Sequence, residues 1–136
     1  MVRWPHRAMR ILIDTHVVIW TFLVRKRISA KVRDLMQSTD SQIFVSAASA
    51  WEIAIKLRLG KLEFDEELLR EFDNRISQIG WKSVPITSAH GVAAAALPRG
   101  HSDPFDRLLA AQTQIERLTL VSIDKQYLRL GVEPIW

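Results

Sequence analysis

Cysteine is absent from the 136 residues, which removes disulfides, thiolate zinc sites and cysteine nucleophiles and makes a reducing, cytoplasmic setting the natural expectation. No apolar stretch approaches the roughly 18 residues of a membrane span, so no membrane partner is expected. Arg3, His6 and Arg7 stand ahead of an apolar run in the manner of a signal peptide. Asp14 and His16 cut that run well short of the roughly 7–15 residues of an h-region. Internal repeats and low-complexity segments are also lacking. Residues 1–8 therefore read as a loose extension, from an upstream start codon or a cloning remnant, and residues 9–136 as one domain large enough to bury a core without staples.

Hydrophobic residues make up 48% and charged residues 25%, the balance of a folded globular chain. Nineteen Lys and Arg against fifteen Asp and Glu leave +4, a weak attraction for a polyanion that says nothing about fold.

Arg10-Ile11-Leu12-Ile13-Asp14 is a short aliphatic run that stops at a carboxylate. Such a run reads as a strand buried on both faces within a parallel sheet, and ligands bind at the carboxyl edge of such sheets. Helices are expected over 15–24, 28–38, 46–59, 65–79 and 87–97, and from Pro104 onward behind an Asp103 cap. Strands are expected over 43–45, 81–86 and 118–123, with an edge strand over 132–135. Parallel strands joined by right-handed helical crossovers predict an α/β fold, a three-layer α/β/α sandwich around a mostly parallel five-stranded sheet. The helix over 46–59 is apolar nearly all round, which predicts burial, with Ser49, Glu52 and Lys56 as its one polar stripe. Trp20, Trp51 and Trp81 sit in apolar patterns and read as core rather than as base-stacking surfaces.

Asp14 and Asp124 end strands, Glu52 lies on the apolar helix, and Asp106 occupies the first turn of another; Asp103, just before it, is a fifth candidate. Each acid has a plainer role: Asp14, Asp103 and Asp124 as helix caps, Asp106 as a dipole partner, Glu52 in an i, i+4 pair with Lys56. Gathered at one sheet edge, they would repel one another unless a cation were shared. Hard oxygen ligands suit Mg²⁺ or Mn²⁺, ions that activate water and neutralise charge on a phosphodiester. Thr15 and Ser122, beside Asp14 and Asp124, read as supporting hydroxyls that hold a water or satisfy the backbone. Among the histidines, which lack ligand spacing, His101 is the one two residues from Asp103. Arg25-Lys26-Arg27 forms a basic turn, either a phosphate contact or a solvated loop.

Four blocks then carry a family pattern: Ile11-Leu12-Ile13-Asp14-Thr15-His16, Ser49-Ala50-Trp51-Glu52-Ile53-Ala54-Ile55-Lys56, His101-Ser102-Asp103-Pro104-Phe105-Asp106 with the following Arg107-Leu108-Leu109-Ala110-Ala111-Gln112, and Leu120-Val121-Ser122-Ile123-Asp124. From Met9 to the carboxyl end the chain resembles the PIN-domain ribonucleases, and among them the VapC-type toxins of bacterial type II toxin–antitoxin systems. The resemblance implies a parallel sheet between helices and an Mg²⁺- or Mn²⁺-dependent endoribonuclease acting on RNA. It also implies a homodimer and a VapB-type antitoxin whose tail covers the groove. Matched by motif, Asp14, Glu52, Asp106 and Asp124 are the catalytic and metal-binding acids, while Asp103 belongs to the longer Asp-Pro-Phe-Asp form of the third block. Residues 1–8 are not part of the pattern.

Two rival readings use the same acids. An Mg²⁺-dependent phosphohydrolase with an aspartyl nucleophile would place a second acid two residues after the first, where His16 stands. A non-catalytic receiver-like module would carry acids just before its phosphoacceptor instead of spread from Asp14 to Asp124, and a non-catalytic RNA-binding module is the remaining alternative.

Overall fold

The computed structural model describes residues 9–136, so the extension read over residues 1–8 lies outside the described residues. Ile11, Leu12 and Ile13 have no solvent exposure, as expected of a central strand, and form β1 (Met9–Ile13). β1 pairs in parallel with β2 (Ser41–Ser46) on one side and β4 (Thr119–Val121) on the other, and β3 (Lys82–Val84) pairs in parallel with β2 at the edge. The sheet order is β3-β2-β1-β4.

Side chains alternate across this sheet, which makes two cores. Ile11, Ile13, Ile43, Val45 and Val121 face α1 (Thr15–Leu23), α2 (Ala30–Gln37) and α5 (Phe72–Gln78). Leu12, Val84 and Leu120 face α7 (Pro104–Ile115) and the 3₁₀ turn Lys125–Leu130. The result is the expected sandwich of three layers. No helix among the described residues is long and apolar enough to cross a membrane.

Three local expectations are corrected. The sheet has four strands, not five, because the segment over 132–135 makes one parallel bridge, Val121 to Ile135. The Ser122 N–H donates to the Ile135 carbonyl at 3.0 Å and the Ile135 N–H to the Leu120 carbonyl at 2.9 Å, which together make up that bridge. The helix over 65–79 is two: α4 (Glu66–Arg70) and α5, parted at Glu71 (φ −108°, ψ 33°). The break swings Phe72 and Ile76 into the core, while Leu68 and Leu69 stay at its margin.

The third correction concerns α3 (Ala47–Arg58), whose buried residues are Ala48, Ser49, Glu52 and Ile53 only. Trp51 is 57% exposed and Leu59 63%, so Trp51 does not belong to the core. A helix lying on one side of a sheet can bury only the stripe that faces it, however apolar the rest. α3 ends where Gly60 takes φ 69°, with Lys61 N–H bonding the Lys56 carbonyl at 2.9 Å and Gly60 N–H bonding Leu57 at 3.1 Å. That reversal brings Lys61 back beside Lys56. α6 (Ser88–Ala96) completes the element set, capped by Thr87.

Candidate functional site

The Asp14 N–H donates to the Val121 carbonyl at 3.1 Å, carrying the ladder one residue beyond β1 and pinning Asp14 at the carboxyl edge of the sheet. Asp14 is also the α1 cap: its Oδ1 accepts from the Val17 N–H at 3.0 Å, while its Oδ2 accepts a short hydrogen bond from the Ser122 hydroxyl. Ser122 Oγ in turn accepts from the Asp124 N–H at 3.0 Å, so one buried hydroxyl joins the ends of β1 and β4. Asp124 caps the following 3₁₀ turn through Gln126 at 2.9 Å. Capping and membership of the acidic group are thus compatible, since each cap uses one carboxylate oxygen.

Asp106 comes from the first turn of α7, where Asp103 accepts from the N–H groups of Phe105 and Asp106 at 2.9 and 3.3 Å. Asp103 acts there as the cap that orients Asp106. The Asp106 carboxylate accepts from His101 Nε2 at 2.6 Å and from the Tyr127 hydroxyl at 2.9 Å. Arg107 holds the loop that carries His101: its guanidinium donates to the carbonyls of Leu97 (2.6 Å), Pro98 (2.7 Å) and His101 (2.8 Å).

Of the acids, Asp106 touches the buried Tyr127 phenol, at 2.9 Å, and Asp14 and Asp124 add to the electrostatic cost of ionising it. Burial first, then these charges, push the phenol well above its ordinary 10.0, so it stays a donor. Burial likewise lifts the Asp14 carboxyl above its ordinary 3.8, opposed by the bonds from Ser122 and Val17, with Asp106 adding repulsion. Asp106 is lifted by burial and by the charge of Asp103, against the His101 hydrogen bond.

Glu52 is buried to 8% exposure and pairs with Lys56 at 3.2 Å, so the i, i+4 contact does form. With His101 and Asp103 it lines an open groove of about 450 Å³ that adjoins the carboxylate group. Thr15 Oγ1 and Ser49 Oγ, 2.9 Å apart, tie α1 to α3 beside it. The basic turn Arg25–Arg27 follows the far end of α1, about 13 Å along the helix axis from Asp14. There Arg25 bonds the Thr21 carbonyl at 3.1 Å, and Arg27 lies over the Trp20 ring at 5.7 Å.

The donor set suits a divalent cation. One ligand atom each from His101, Asp106 and Asp124 lie within 4.8 Å of one another. Among the described residues no Lys or Arg pairs with Asp14, Asp106 or Asp124, and Asp106 faces His101 at 2.6 Å instead. An ion accepting hard carboxylate oxygens would offset both the cost of burying these charges and the repulsion between Asp14 and Asp106.

Two residues of this cluster carry little signal in the sequence. Tyr127 is the only tyrosine of the chain and stands three residues after Asp124, a spacing that returns it to the same side of a tight turn. His101 is separated from Asp106 by five residues, and only the loop clamped by Arg107 folds it back.

The PIN domain family model matches residues 11–133. Ribonuclease VapC16 of Mycobacterium tuberculosis is 38% identical over 60 residues, spanning 44% of this chain and 43% of that protein. The crystal structure of VapBC2 from Rickettsia felis bound to a DNA fragment from their promoter superimposes with a TM-score of 0.65 at 16% identity, over 94% of this chain and 100% of that one. FitAcB from Neisseria gonorrhoeae gives 0.62 at 18% identity, over 93% and 96%. A toxin–antitoxin complex from Klebsiella pneumoniae gives 0.58 at 17%, over 86% and 89%. At these identities the structural likeness is one of fold.

Proposed function

This chain belongs to the PIN domain family, and from that premise we propose that it is a metal-dependent endoribonuclease, the toxin of a type II toxin–antitoxin pair. The observation that carries the reading is the gathering of acids at the carboxyl edge of the sheet: Asp14 is tied to the Asp124 backbone through Ser122, and Asp106 lies within 4.8 Å of Asp124, with no Lys or Arg paired to them among the described residues. Residues 9–136 act as a single nuclease domain. Asp14 and Asp106 are the principal metal ligands, with Asp124 and Glu52 binding directly or through waters. A bound Mg²⁺ or Mn²⁺ supplies Lewis-acid activation of water and offsets charge on the phosphodiester.

The protein's own groups orient and position. Ser122 and the α1 amide fix both oxygens of Asp14, and His101 and Tyr127 fix those of Asp106. The hydroxyls of Ser122 and Thr15 are both engaged in buried hydrogen bonds, so neither is a free nucleophile. Water is assigned as the attacking group: its oxygen bonds to phosphorus, the ester P–O bond breaks, one of its protons ends on the departing oxygen to release an alcohol, and no covalent protein intermediate forms. Removing the Tyr127 hydroxyl in Tyr127→Phe leaves Asp106 short of one donor and is expected to lower metal affinity and cleavage roughly 10–100-fold. Titration with Mn²⁺ alongside initial cleavage rates checks both.

A VapB-type antitoxin partner, a homodimeric state and a cytoplasmic setting complete the proposal. Support for the partner comes from the toxin–antitoxin assemblies that share the fold. Incubating the protein with defined RNAs and, separately, with a generic phosphomonoester, in Mg²⁺ or in EDTA, tests the activity. Internal cleavage of RNA that EDTA abolishes is expected. Hydrolysis of the phosphomonoester alone, or no hydrolysis with RNA merely bound, would overturn it.

A further inference from the structure

Trp51 precedes Glu52 on α3, and Phe105 precedes Asp106 on α7. The two rings meet edge to face, 5.2 Å between centroids at 74°, so two aromatics flank two acids of the site. Phe105 lines the groove that Glu52 shares with His101, and Trp51 stands against it with 57% of its surface open. Lys56, Lys61, Ile55 and Leu59 line the same groove. Lys61 is exposed and has no ion-pair partner among the described residues.

We propose that Trp51, braced by Phe105, is a stacking platform for a nucleobase next to the scissile phosphodiester, with Lys61 as the contact for the adjoining phosphate. The proposal rests on the endoribonuclease reading and adds the residues that hold the substrate beside its acids. An apolar partner alone would not call for lysines in the lining, and a polyanion alone would not call for an open indole. A polynucleotide strand presents both chemistries at alternating positions, and every base offers a ring face. A tryptophan left to solvent on an otherwise sheet-packed helix is thereby accounted for. The indole does not touch the reacting atoms, so it acts on binding.

The test uses the full chain with Asp14→Asn, so that binding is read without cleavage, and the anisotropy of a short fluorescent oligoribonucleotide in Mg²⁺. Adding Trp51→Ala is expected to weaken binding about 5- to 100-fold, with Trp51→Phe restoring most of it and Trp51→Leu, apolar but without a ring, restoring little. Lys61→Ala is expected to weaken binding evenly across sequences and to reduce the salt slope by about 1. In the chain that retains Asp14, Trp51→Ala raises KM and leaves kcat nearly unchanged. Unaltered affinity in Trp51→Ala, equal rescue by Leu and Phe, or no oligoribonucleotide binding at all would each overturn the assignment. So would unaltered affinity accompanied by a fall in sedimentation from dimer to monomer, which would give this face to a second copy of the chain. Trp51-dependent binding by a protein that cuts no RNA would instead refute the endoribonuclease reading and leave the platform standing.

Discussion

Asp14→Asn is expected to lower RNA cleavage at least 100-fold, beyond the roughly 10–100-fold typical of losing an outer partner of a metal ligand, while the protein remains folded. The substitution keeps the shape and the oxygen that accepts from the Val17 N–H, so the α1 cap survives. On the other side, the new amide donates to Ser122 Oγ, whose hydroxyl now turns to another acceptor. What disappears is a negative charge that burial already disfavours, so stability in EDTA should hold or rise. Asp14→Ala differs by also stripping the cap, at about 0.5–2 kcal/mol. Cleavage rates and melting curves on both variants separate the roles. A folded Asp14→Asn protein that still cuts RNA at the original rate in a metal-dependent manner would remove Asp14 from the site.

Divalent metal is expected to raise the melting temperature by several degrees at neutral pH, and the gain should grow as pH rises. Asp14 and Asp106 titrate above their ordinary 3.8 in the folded chain. Between 3.8 and those raised values, the unfolded chain has already released protons that the folded chain keeps. Stability of the metal-free protein therefore falls with rising pH across that window, and above it the whole penalty is present. A cation binds the ionised carboxylates and so displaces protons, which strengthens binding over the same window. At about 100 Kd of free ion the stabilisation is about 2.7 kcal/mol. Thermal melts in Mn²⁺ and in EDTA over a pH series measure it, and Asp14→Asn should lose most of the gain. Equal melting with and without the ion at neutral pH, or a gain that shrinks as pH rises, would sink the shared-cation reading.

How much of this was legible along the chain follows from the range of each interaction. Ile11, Leu12 and Ile13 announce a doubly buried strand by composition alone, and Asp14 follows as its carboxyl end. Asp103 and Pro104 announce the start of α7, which places Asp106 in the first turn. These are local rules, complete within a few residues. The outer face of α3 departs from expectation because apolar content says how much surface a helix would prefer to bury, not how much its neighbours can cover. Trp51 has the apolar surroundings in sequence of a core residue and yet stands in the open. The expected fifth strand shrinks to the single bridge at Ile135, because how many residues pair depends on how the segment lies against β4 and not on its own β-propensity.

From the chain alone came the alternation of strands and helices, the sheet edge at which acids collect, and a family pattern in four blocks, because periodicity, caps and strand ends are written in neighbouring residues. Only the folded arrangement decided that Tyr127 donates to Asp106 and that His101 turns back onto the same carboxylate. It also decided that Arg107 clamps the loop between them, and that an indole is left beside the groove. Those outcomes depend on which surfaces the sheet order brings face to face, and on where burial strips water from a charge, and neither is a property of any short stretch of sequence.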